Sequence, residues 1–266
     1  MSTLRFISLS SGSSGNCYFI GDGEVSLLID AGISLRAVKK RLAEYSIDIE
    51  CIDYLLVTHD HADHIKHLSS ISKKLMKPIL ATSKLFSSLD KHPFTKGESG
   101  KFRVYIDKEI PFCYKGVSIT AFDVPHDASE NLGYFIDFKG ERFTLVTDIG
   151  KMTGRVIDFG RISNHLIIES NYDTKMLNSG SYPQYLIDRI SGGNGHLSNE
   201  EASQAIKNLY HPGIRNIFLC HLSENNNTPI LAYNSAMESL SLMGVRVGCD
   251  INLYCLPRRD HMGFDL

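Results

Sequence analysis

The chain has 266 residues, 42% of them hydrophobic, and a formal net charge of −2. This length can bury a substantial core and sits at the upper edge of one domain, while the near-neutral charge excludes a generally basic nucleic-acid coat without excluding a local basic face. No apolar run approaches the ~20 residues of a membrane span, and the N-terminal MSTLRFISLS lacks a signal-peptide apolar region, so a cytoplasmic protein without membrane contact is expected. The six cysteines, Cys17, Cys51, Cys113, Cys220, Cys249 and Cys255, are scattered, mostly inside apolar segments. They form neither a CxxC pair nor a disulfide framework, and reduced core thiols are expected.

Leu4–Leu9 reads as a strand, followed by the Gly/Ser loop SSGSSGNC, which contains Ser14 and Asn16. Tyr18–Ile20 and Val25–Ile29 resume strand character around a turn at Gly21–Gly23, and Asp30–Ala31–Gly32 ends the second of them. Leu35, Val38, Leu42 and Tyr45 follow helical spacing. Tyr54–Val57 reads as a buried strand and runs into Thr58–His64, THDHADH. Ile65–Met76 is expected to be a helix whose Lys73, Lys74 and Lys77 form a solvated end. Pro78–Ala81 is a strand, Ser83–Leu89 a short helix and Lys91–Lys101 a loop. Strands are then expected at Phe102–Ile106, Val117–Val124, Leu132–Phe138 and Arg142–Val146, and Arg161–Ile168 is one more apolar run. Asn171–Gly195 breaks this pattern as a mostly helical insertion, around 171–199 in all. Ser198 and Glu201 form a capping box ahead of a helix that buries Ala202, Ala205, Ile206 and Leu209. Ile214–Cys220 is a strand, Thr228–Pro229 opens the last long helix in cap-then-proline order, and Ile251–Leu256 closes as a strand. No internal repeat or linker is visible, so 1–266 is read as a single domain.

THDHADH holds three histidines and two aspartates in seven residues, which packing does not explain. Imidazole and carboxylate are the ligands shared by Zn²⁺, Mn²⁺ and Fe. His59 and His61 are two apart and can point the same way, while Asp63 and His64 can serve a neighbouring position. One loop can thus supply two ligands to each of two ions. Three more donors follow strands: His126 in DVPHD, Asp148 in LVTDIG and His221 in FLCHLS. A carboxylate is the natural bridge between two cations, and Asp148 is expected in that role. His196 precedes the capped helix, whose N-terminus favours anions, and is expected to contact a phosphate or act as general acid. Asn16 and Ser14 are expected to line the same mouth. Structural roles are expected for His67, His92, His165, His211 and His261. Asp60, Asp127 and Glu130 are read as solvated or supporting neighbours of ligands.

This ordered set resembles the metallo-β-lactamase-fold superfamily over nearly the whole chain. The resemblance implies an α/β (α+β) fold, a four-layer αββα sandwich of two mixed β-sheets flanked by helices. It implies His59, His61 and His126 at one metal, Asp63, His64 and His221 at the other, Asp148 between them, and Asp30 orienting a ligand. SGSSGNC and GHLSN resemble the YycJ/WalJ-like branch, associated with 5′-to-3′ exonuclease activity on DNA. Two divalent ions, Zn or Mn before Fe, would lower the pKa of a bridging water to about neutrality, with Asp63 orienting it or taking its proton. A phosphodiester suits such a dication better than a neutral amide. The alternatives are a hydrolase of a small ester, lactone, thioester or cyclic nucleotide on the same site, and a non-catalytic binding protein retaining the fold. DNA is the expected partner, and a homo-oligomer is compatible with the sequence.

Overall fold

The computed structural model describes residues 3–96 and 102–266; residues 97–101 of the expected Lys91–Lys101 loop lie outside the described residues. The chain divides into two compact units. The first comprises Met1–Ile110, Ala128–Glu130 and Pro257–Leu266, and the second Pro111–Asp127 and Asn131–Leu256.

Unit 1 contains β1 (Arg5–Ser10), β2 (Cys17–Gly21), β3 (Ser26–Ile29), α1 (Leu35–Ala43), β4 (Tyr54–Leu56), α2 (Ala62–Ile65), α3 (Leu68–Leu75), β5 (Ile79–Ala81), α4 (Ser83–Leu89) and β6 (Arg103–Tyr105). The β2–β3 hairpin closes because Asp22 Oδ1 accepts the N–H groups of Glu24 and Val25 while Gly23 takes φ 86°. Ser34 caps α1 by accepting from Ala37 N–H, and Val38 and Leu42 bury its inner face. The single helix expected over Ile65–Met76 is instead two. The His67 N–H donates to the Ala31 carbonyl, 2.9 Å away, so the chain turns there, and α3 ends at Met76 in left-handed backbone.

Unit 2 contains β7 (Phe112–Tyr114), β8 (Val117–Asp123), β9 (Leu132–Phe138), β10 (Glu141–Val146), α5 (Gly154–Gly160), β11 (His165–Glu169), α6 (Thr174–Ser179), α7 (Gln184–Ser191), α8 (Asn199–Leu209), β12 (Asn216–Cys220), α9 (Pro229–Leu242) and β13 (Asn252–Cys255). The segment 171–199 carries the short helices α6 and α7, and Tyr172, Leu177 and Ile187 give it a small core of its own. Ser198 and Glu201 form the expected capping box of α8. The C-terminal strand β14 (Met262–Asp265) returns to unit 1 and pairs antiparallel with β1.

Among the described residues each unit has one mixed seven-stranded sheet, in the orders β14-β1-β2-β3-β4-β5-β6 and β13-β12-β11-β10-β9-β8-β7. Both sheets are flanked by helices, the α/β class expected. Each sheet also runs through three antiparallel pairings and then three parallel ones. The repeat that the sequence does not show is therefore present in the topology. Its one sequence trace is the tripeptide after the equivalent strands β3 and β10: Asp30–Ala31–Gly32 and Asp148–Ile149–Gly150.

The strands β7 and β14 and the helix α5 were not expected. β7 and β14 are short, half-exposed edge strands without clear alternation, and α5 both starts and ends in glycine. The cysteines also depart from expectation. All six are free, but only Cys17 and Cys220 are buried, while Cys113 on β7 and Cys249 in a turn are exposed. No helix among the described residues is long and apolar enough to cross a membrane.

The Asp-x-Gly glycines permit close backbone contact. A Cβ on Gly32 would lie 1.8 Å from the Asp63 carbonyl oxygen, and one on Gly150 would lie 2.5 Å from the Gly193 carbonyl oxygen. Gly32→Ala is expected to destabilise the protein by about 3 kcal/mol or more, because backbone has to move. Gly154→Ala, whose Cβ meets nothing within 4 Å, is expected to stay within about 0.5 kcal/mol of wild type. Urea denaturation of both variants checks this.

Candidate metal centre

In both sheets the donor side chains lie at the C-terminal ends of parallel strands, the edge where α/β sheets bind ligands. In unit 1, β3 delivers Asp30 and β4 delivers Thr58 and His59. Asp30 is buried in left-handed backbone, φ 60°, a conformation that costs a non-glycine residue about 1 kcal/mol or more. Its Oδ1 accepts the Thr58 N–H at 2.9 Å, and its Oδ2 accepts the Thr58 hydroxyl at 2.9 Å and His64 Nδ1–H at 2.7 Å. That anchor fixes the His64 tautomer and assigns any metal bond to Nε2. The Thr58 hydroxyl also meets His59 Nδ1 at 3.0 Å, which orients the second imidazole in the same sense. The His59 ring centroid lies 4.6 Å from that of His61 and 4.1 Å from that of His64. Imidazole ligates a metal in its neutral form.

The Gly/Ser loop is stitched onto this edge. Asn16 N–H donates to the Asp63 carbonyl, Gly32 N–H to the Asn16 carbonyl, and Ala31 N–H to the His64 carbonyl, all at 2.7–2.9 Å. Asn16 Nδ2 lies 3.2 Å from Asp63 Oδ2 and 2.9 Å from His64 Nε2, so Asn16 sits beside the donor cluster. Ser14 lies exposed on the turn. Asp60 instead ties α4 to the Ala128–Glu130 segment, accepting from the Ser88 and Ser129 hydroxyls.

In unit 2, β10, β11 and β12 deliver Asp148, Glu169 and His221 to one edge, and the parallel register aligns Glu169 with Cys220. Glu169 is fully buried. Its Oε1 accepts His196 Nδ1–H at 2.7 Å and His221 Nδ1–H at 2.9 Å, and its Oε2 accepts the N–H groups of Ile149 and Leu197. Burial alone would raise the Glu169 pKa, but the two histidines outweigh it and lower the value. Asp148 Oδ1 lies 3.2 Å from His221 Nδ1. Asn131 Nδ2 holds the Asp148 carbonyl at 2.7 Å. His126 donates Nδ1–H to the Gly195 carbonyl at 2.8 Å, and its Nε2 lies 3.7 Å from Asp148 Oδ1. Burial lowers its pKa and keeps it in the neutral, ligating form, although Asp148 opposes this.

His196 belongs to this cluster and is not seated on the helix terminus. The first turn of α8 carries Glu200 and Glu201, so that terminus is not a seat for an anion. Burial would lower the His196 pKa, but Glu169, by charge and hydrogen bond, and Asp148 raise it.

Glu169 is the residue that sequence reasoning missed. It sits just beyond the apolar run expected over Arg161–Ile168. The available signal was a carboxylate closing a buried strand between two strands that each end in a donor. His67 stands half-buried at the start of α3, with its pKa lowered by burial and Lys66. His165, His211 and His261 bond to Asn216, the Ser163 carbonyl and Tyr45 respectively, as structural residues. Asp127 pairs with Arg189, and Glu130 with Lys108.

The donor chemistry fits divalent metal. Within unit 2 alone, Asp148, Glu169, His196 and His221 offer ligand atoms within 4.8 Å of one another. Each imidazole whose Nδ1 is held by a carboxylate or carbonyl presents Nε2 for ligation, the arrangement found around metal-bound histidines.

Residues 26–222 match the family model described as beta-lactamase superfamily domain, and the chain belongs to that family. It is a metal-dependent hydrolase with the metallo-β-lactamase fold. Its sequence is 32% identical over 245 residues to exodeoxyribonuclease YycJ of Bacillus anthracis, covering 92% of each chain. It is 30% identical over 250 residues to exodeoxyribonuclease WalJ of Streptococcus pneumoniae, covering 94% of this chain and 93% of that one. The fold is shared with the metallo-β-lactamase fold protein YhfI from Bacillus subtilis, with a TM-score of 0.70 and 15% identity over 98% of this chain and 100% of that one. It is shared too with Zn²⁺-bound PqqB from Methylobacterium extorquens, with a TM-score of 0.69 and 16% identity over 98% of this chain and 100% of that one.

Asp30→Asn keeps the shape of the anchor but replaces one acceptor with a donor facing His64. It is expected to weaken metal binding about 10- to 100-fold, read by competition with a chelating dye, while the circular dichroism spectrum is unchanged.

Proposed function

We propose that this protein is a cytoplasmic 5′-to-3′ DNA exonuclease that works as a binuclear metal-dependent phosphodiesterase. The observation that carries the reading is the set of imidazoles locked through Nδ1 on both sheet edges, in a chain alike over nearly its whole length to two exodeoxyribonucleases. We assign His59, His61 and His126 to one ion, Asp63, His64 and His221 to the other, and Asp148 to both, with Asp30 and Glu169 as the anchors. The two units then belong to one domain, which is supported by the single family match running through both.

Divalent ions at these ligands, Zn or Mn, supply Lewis acidity toward the phosphate and bring the pKa of water to about 7. The protein's own groups do the rest. Asp63, whose carboxylate is steadied by Asn16, orients the attacking water and takes its proton. His196 donates a proton to the departing 3′ oxygen through Nε2, because Nδ1 is committed to Glu169. The raised pKa of His196 keeps that proton in place nearer neutrality than an ordinary imidazole would.

With Mn²⁺ or Zn²⁺ added, DNA labelled at one end and carrying a 5′-phosphate is expected to release mononucleotides progressively. Asp63→Ala is expected to abolish release, and His196→Ala to slow it by about 10²- to 10⁴-fold, both with the fold intact. Wild-type protein that holds metal yet leaves DNA uncut would shift the assignment to a small ester or cyclic nucleotide.

A further inference from the structure

We propose that a groove on unit 1, formed by α3 and the segment around Phe94, binds the single-stranded continuation of the nucleic-acid substrate. The nuclease reading supplies the class of ligand; the groove itself is defined by different residues. Its lining is Ser69, Ser70, Lys73, Lys74, Met76 and Phe94, around a volume of about 650 Å³.

Three independent features point to this occupant. The first is charge. Residues 65–89 contain five lysines, Lys66, Lys73, Lys74, Lys77 and Lys84, and no aspartate or glutamate, in a chain whose net charge is −2. Lys73 and Lys74 are exposed, and Lys91 and Lys96, also exposed, flank Phe94. The second is aromatic surface. Phe94 is 46% exposed and Met76 71% exposed, so an apolar face sits in water beside ammonium groups. Stacking on an aromatic ring and a cationic backbone track are the two elements of sequence-tolerant single-strand binding. The third is Ser69. It is only 4% exposed, and among the described residues its hydroxyl has no hydrogen-bond partner. A phosphate oxygen or base edge in the groove would give that hydroxyl a partner after a rotation of the Ser69 side chain.

Lys73, Lys74 and Met76 lie toward the C-terminal end of α3, whose N-terminal end follows the donor loop. α3 begins four residues after His64, and its eight residues span about 10 Å. A strand that follows α3 away from Asp63 and His64 reaches Lys73 and Lys74 within a few nucleotides. A duplex hides its bases in the stack, so the exposed ring selects an unpaired strand.

The test uses labelled 5′-phosphorylated oligodeoxynucleotides of increasing length and fluorescence anisotropy, with Asp63→Ala protein so that the strand is not consumed. Lengthening the strand from a dinucleotide to a decanucleotide is expected to tighten binding. Adding Lys73→Glu and Lys74→Glu together is expected to remove that gain, weakening the decanucleotide tenfold or more and lowering the salt slope by about 1–2. Phe94→Ala is expected to weaken it about fivefold or more. An unaltered length dependence in both variants overturns the groove, and so does equal binding of a poly-glutamate peptide. Wild-type cleavage together with that unaltered dependence leaves the nuclease reading standing. Groove-dependent strand binding without cleavage by wild type supports the groove and removes the nuclease reading. Wild type that neither binds nor cleaves removes both.

Discussion

A buried carboxylate at the end of a parallel strand, held by hydrogen bonds and holding imidazoles in turn, is the interaction on which the site depends. Burying a carboxylate without partners is costly, and Asp30 and Glu169 are almost completely removed from water. Each is compensated by backbone N–H groups and by imidazole Nδ1–H donors. The compensation runs in both directions. The histidines stabilise the charge, and the charge fixes which nitrogen of each histidine faces a metal. A site built this way needs little rearrangement to accept a cation.

The same device appears in both units because the units share a topology. Three antiparallel pairings followed by three parallel ones bring strand ends, and therefore Asp30 and Asp148, to equivalent places in the two sheets. The glycine two residues later lets another backbone segment approach in each case: Asp63 against Gly32, and Gly193 against Gly150. The chemistry of the two edges has diverged. Unit 1 places its histidines in one short loop, whereas unit 2 gathers them from three separate segments around Glu169.

Most of the candidate donor cluster was legible in the sequence because metal ligation needs unusual residues at fixed spacing. His59, His61, Asp63 and His64 lie within six residues, and no packing rule produces such a run. Asp148 and His221 were legible because each follows an apolar strand. Glu169 was not, because its role depends on β11 lying between β10 and β12, a fact of sheet order that residue spacing does not carry. The break at His67 was hidden for a similar reason: the Ala31 carbonyl that takes its N–H is 36 positions away, since 67 − 31 = 36. The edge strands β7 and β14 were lost because half-exposed strands of three or four residues leave no alternation to read. The topological repeat was invisible because only the Asp-x-Gly tripeptides retain it.

Under the proposed assignment, the donors of both sheet edges serve one shared pair of ions. Counting metal per chain by mass spectrometry of wild type, His59→Ala and Asp148→Ala, after dialysis against a weak chelator, tests it most directly. The account predicts two ions in wild type and fewer than one in Asp148→Ala, because the bridging carboxylate supports both, with His59→Ala losing at least one. Wild type retaining a single ion, or Asp148→Ala retaining both, would contradict it.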